Sequence, residues 1–96
     1  MGSDDERISF VTAVAAAYNN AAVEYEFAQD FSNSLIYYNK AVRISQIHLG
    51  KLSSKTKNFE ANFEDAKDRV RNDPSIKNNI KKITDKNLNT NLVSGN

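Results

Sequence analysis

Residues 18–45, YNNAAVEYEFAQDFSNSLIYYNKAVRIS, decide the fold. Tyr18, Ala21, Ala22 and Tyr25 stand at i, i+3, i+4 and i+7, one face of a helix. After the break at QDFS, Phe31, Ser34, Tyr38 and Ala41 repeat that face on a second helix. Aromatic rings then fill the space between two helices folded back on each other. Ala21, Ala22, Ser34 and Ala41 let the backbones come close.

Working outward, Ser3 with Glu6 makes a capping-box pattern. Apolar residues then run without Pro or Gly to Ala28, so a first helix is expected over about 4–28. It is apolar around much of its circumference and needs neighbours on several sides. A tight turn at Gln29 and Asp30 leads into a second helix ending near Leu49, with Gly50 as its cap. Ser53 or Ser54 caps a third helix, about 55–71, with Phe59, Phe63, Ala66 and Val70 on one face. Asn72-Asp73-Pro74 ends it. Asp73 and Pro74 can open a short fourth helix carrying Ile76, Ile80 and Ile83 on one face. The resulting division is 1–72 for the main helical unit, 73–86 for the short helix and 87–96 for a tail with little periodicity, expected to be disordered.

The stretch Tyr18, Ala21, Ala22, Tyr25, Phe31, Ser34, Tyr38 and Ala41 resembles a tetratricopeptide (TPR) repeat. Two positions depart: Gln29 stands where the family usually has Gly, and Gln46 where it often has Pro. Without that Pro the second helix runs on, and AVRISQIHLGKLSSKTKNF looks like the longer repeat of kinesin light chains and related adaptors. A further, degenerate repeat would start near Thr56, with Asn58 standing to Phe59 and Phe63 as Asn20 stands to Ala21 and Tyr25. The resemblance implies an all-α fold of antiparallel helical hairpins, a TPR-like right-handed array with a short C-terminal helix. It also implies a scaffold or adaptor that binds a partner peptide or helix. By analogy the groove would be lined by Asn19, Asn20, Val23, Glu26 and Phe27, with Asn58 as the counterpart of Asn20. Asn20 facing solvent or capping a local turn is the plainer reading. One helix pair cannot bury its own faces. Hence the chain is either a piece of a longer array or completed by a partner, self-association included.

Other functions find little support in the residues. With no Cys there is no disulfide, thiolate site or cysteine nucleophile, which fits an intracellular, cytoplasmic or nuclear setting. The single His48 has no signalled carboxylate or nucleophile beside it, and no P-loop, GxGxxG, HExxH or GxSxG motif occurs. No enzyme, cofactor or metal is therefore expected. No apolar run is long enough for a membrane span. Charge is uneven: six basic against nine acidic residues up to residue 66, then seven basic against three acidic. Lys77, Lys81, Lys82 and Lys86 invite a nucleic-acid reading, but no aromatic is interleaved to stack a base, and a solvated face explains them as well. A small subunit docked permanently in a cytoskeletal or nucleic-acid-processing assembly is the other alternative.

Overall fold

The computed structural model describes residues 2–76, with side chains from residue 4 onward. It is all-helical, with three substantial helices: α1 (Gly2–Phe27), α2 (Phe31–Leu49) and α3 (Ser54–Arg71). No strand occurs among the described residues. The short helix expected over 73–86 lies outside them apart from its start, and so do the tail 87–96 and the four lysines 77, 81, 82 and 86.

Local chemistry sets each boundary. α1 starts at Gly2, ahead of the Ser3 expected to cap it, and runs unbroken through an alanine-rich centre that favours helix. Its C-terminus closes in a Schellman motif. Asp30 N–H donates to Tyr25 O at 2.9 Å, Gln29 N–H donates to Glu26 O at 3.0 Å, and Gln29 takes φ 62°. The departure from Gly noted in the sequence thus falls on the one non-Gly residue in the left-handed region among those described. Asp30 then caps α2, its carboxylate accepting from Asn33 N–H at 3.3 Å. Gly50 ends α2 at φ 91°, ψ 154°, where a side chain is strained whatever the space around it. Ser53 caps α3, and Asn72 follows it with its N–H bonded back to Asp68 O. Asp73 accepts from Ser75 N–H at 2.9 Å and Ser75 Oγ at 2.6 Å as the backbone turns helical again at 74–76.

The core is narrow and built on small residues. Ser34, Tyr38, Ala41, Val42 and Ser45 form the buried stripe of α2. Ala22 from α1, Tyr38 from α2 and Ala66 from α3 meet at its centre, with Val23, Leu35, Tyr37 and Phe63 packed around them. Ala22 and Ser34 are fully buried, and Ser34 Oγ donates to Ala22 O at 2.9 Å, so the two backbones nearly touch there. The start of α1 meets the end of α2 through Arg7 Nη1, which donates to His48 O at 3.0 Å and satisfies a terminal carbonyl. Buried Thr56 and Ser45 stay satisfied locally, donating to Gly50 O at 2.8 Å and Val42 O at 2.8 Å. Tyr37 makes the aromatic contacts, its centroid 5.8 Å from that of Tyr18 in an edge-on pair and 5.1 Å from that of Tyr25 in a tilted one.

α3 lies beside α1 in a fixed register. Asn62 Nδ2 donates to Asn19 Oδ1 at 3.3 Å, and Arg69 reaches Glu26; both pairs are 43 residues apart. Equal offsets mean that the two helices run in the same direction.

Candidate functional site

Three side chains, one from each helix, meet where α1 ends. Glu26 is on α1, Tyr38 on α2 and Arg69 on α3. Arg69 Nε donates to Glu26 Oε2 at 2.7 Å and Nη2 donates to Oε1 at 3.0 Å, a two-pronged ion pair. The Tyr38 hydroxyl donates to Glu26 Oε1 at 2.9 Å, and Arg69 Nη2 also approaches the Tyr38 oxygen at 3.4 Å. The Glu26 side chain is only 19% exposed and that of Arg69 53%, so the carboxylate is sheltered while the guanidinium faces outward.

The electrostatics follow from these contacts. The bond from Arg69 holds the Glu26 carboxyl below the usual carboxylate range, with Tyr38 helping and partial burial opposing. Burial pushes the Tyr38 phenol up, and its bond to Glu26 adds to that. The site is therefore a locked ion pair with a neutral phenol at neutral pH.

Around this polar floor the walls are apolar. Val23, Phe27 and the Tyr38 ring join Glu26 and Arg69 to line a cleft of about 300 Å³. A smaller cleft of about 180 Å³ continues along the α1–α3 seam past Asn19, Val23, Asn62, Asp65 and Arg69. Phe27 is 83% exposed, a large aromatic held in water at the rim. Leu52 and Phe10 are the other large apolar side chains at least 70% exposed among the described residues.

The structure brings together Val23, Glu26 and Phe27 of the residues expected to line a groove. Asn19 lies in the adjoining cleft, its amide oxygen already taken by Asn62. Asn20 and Asn58 are exposed and line neither cleft. In the 43-residue register Asn58 is level with Ala15, about 16 Å along the helix from Glu26. Tyr38, Asn62 and Arg69 complete the site and went unread as site residues. Tyr38 read as packing between the helices. A charge on α3 at the level of Glu26 was the available signal, but it needs the α1–α3 register to be used. Among the described residues no helix is long and apolar enough to cross a membrane.

Comparison of the chain with known protein families, curated proteins and solved structures finds no match.

Proposed function

We propose that this chain is a TPR-like module of antiparallel helical hairpins that docks a short segment of a partner protein at the α1–α3 seam. The observation that carries the reading is the cleft of about 300 Å³ between Val23, Phe27 and the Glu26–Arg69 pair, with Phe27 left 83% exposed at its rim. Its size, at the small end of ligand-binding clefts, accommodates one or two side chains. The arrangement of the helices supports the repeat reading. Small residues occupy the closest approach of α1 and α2, and α3 lies alongside α1 in the same direction, as the first helix of a following repeat would.

In this reading Phe27 and Val23 supply the apolar anchor surface. The Glu26–Arg69 pair holds the two helices at a fixed spacing and offers an outward guanidinium to a peptide carbonyl or carboxylate. Asn19 and Asn62 extend the seam with amide groups suited to an extended backbone. The exposed Phe10, far along α1 from this cleft, favours a second reading in which α1 is also an assembly surface.

The test is selection of a displayed random-peptide library on the immobilised full chain, followed by titration of the recovered peptides against Phe27→Ala. Peptides that share an apolar anchor and lose at least tenfold in affinity on the variant support the proposal. Selection that returns no peptide, or peptides indifferent to Phe27 and Val23, would sink it.

A further inference from the structure

α1 carries one face that neither α2 nor α3 covers. Phe10, Ala13, Ala17, Asn20, Glu24 and Phe27 are all exposed, and they follow one another at steps of three and four residues. That alternation is the seam of a two-stranded coiled coil. Large rings stand at both ends, Phe10 70% and Phe27 83% exposed, and small or polar residues lie between them.

We propose that a second copy of this chain docks on this seam, the two α1 helices running in opposite directions. The charges along the seam favour that orientation. Pairing places each Phe10 opposite a Phe27, each Ala13 opposite a Glu24 and each Ala17 opposite an Asn20. The three pairs are symmetric about a two-fold axis near residues 18 and 19, as an isologous dimer requires. Aligned in the same direction, the helices would instead set Glu24 on Glu24 and the acidic first turn, Asp4 and Asp5, on itself. In the opposed arrangement Glu24 lies over a methyl group and its carboxylate reaches water.

The area suffices. At these exposures the four phenylalanines alone would remove on the order of 600 Å² from water. The alanines between them and the half-buried flanks Val14 and Val23 extend the contact over about 26 Å of helix. The total then reaches the roughly 1,000 Å² of a specific interface. Phe27 belongs to this seam and to the cleft rim, so a docked copy and a docked peptide compete for it.

The experiment uses the full chain. Light scattering coupled to size exclusion, over a concentration series, should show the mass rising from 10.8 kDa to twice that value. The double variant F10K/F27K should stay monomeric with an unchanged helical circular dichroism spectrum, and F27K alone should raise the dissociation constant at least tenfold. Since the chain has no Cys, register can be read by single-cysteine variants. An equal mixture of A17C and N20C should form the mixed disulfide faster than either forms its own. A monomeric mass at every concentration overturns the proposal. A dimer that survives F10K/F27K overturns it too, because some other surface then holds the copies together. Self-linking of A17C faster than mixed linking overturns the opposed direction.

Discussion

Replacing Glu26 by Gln and Arg69 by Met, singly and together, measures what joins α3 to α1. Arg69 gives Glu26 two donors, at 2.7 and 3.0 Å, and Tyr38 gives a third at 2.9 Å. Fully exposed pairs contribute about 0.2–1 kcal/mol, whereas breaking a fully buried one costs about 3–5 kcal/mol. The Glu26 side chain is sheltered but that of Arg69 is half in water. Screening by that water places the coupling toward the lower range, about 1–1.5 kcal/mol. Urea unfolding followed by circular dichroism at pH 7 gives the four free energies of the cycle. Each kcal/mol corresponds to about 4–8 °C in Tm for a domain of this size.

The pH dependence gives the sign. Glu26 is held below its unfolded carboxyl value by Arg69. Its contribution is therefore fully present above the unfolded value of about 4.3 and lost as pH falls through the lower native value. Glu26→Gln should remove that slope, and Arg69→Met should reduce it. A coupling within about 0.3 kcal/mol of zero, or an acid slope that Arg69→Met leaves untouched, would refute the reasoning.

Three further substitutions test the backbone and the core. Gln29→Gly relieves a left-handed residue at φ 62° and should stabilise the chain by about 0.5–1 kcal/mol, read as a higher urea midpoint. Gly50→Ala should destabilise by about 1–3 kcal/mol in the same assay even though its Cβ meets nothing within 4 Å, because the strain is in the backbone. Ser34→Leu should cost at least about 2 kcal/mol, read as a lower Tm, since a fully buried hydroxyl bonded to Ala22 O gives way to a side chain with no room between the helices.

Much of this fold was legible because its punctuation is local. Gly50, Ser53 and Asn72-Asp73-Pro74 end or cap helices through their own backbone chemistry, and they mark α2 and α3 to within a residue. Ala22, Ser34 and Ala41 are small for a reason visible in their spacing, and all three are buried. The start of α1 was less clear, since Ser3 lies within the helix it was expected to cap. Tyr37 and Tyr38 are adjacent aromatics on diverging faces. Periodicity chose Tyr38 for the core, and the structure gives the edge-on and tilted contacts with Tyr18 and Tyr25 to Tyr37. The candidate site was half legible: Val23, Glu26 and Phe27, which line the cleft, came from the first helix through the repeat resemblance. Arg69 did not, because its meaning depends on a 43-residue register between α1 and α3 that no local pattern encodes. Asn58 was placed by repeat analogy, and the same register sets it about three turns from Arg69 along α3.

The most direct test of the docking surface is chemical-shift mapping of the isotopically labelled chain titrated with a library-selected peptide. Docking at the seam predicts the largest saturable shifts at the amides of Val23, Glu26, Phe27 and Arg69, with little change at the exposed Asn58. Largest shifts elsewhere, on the outer side of α2 around Ile36 and Ile47 for instance, would contradict it.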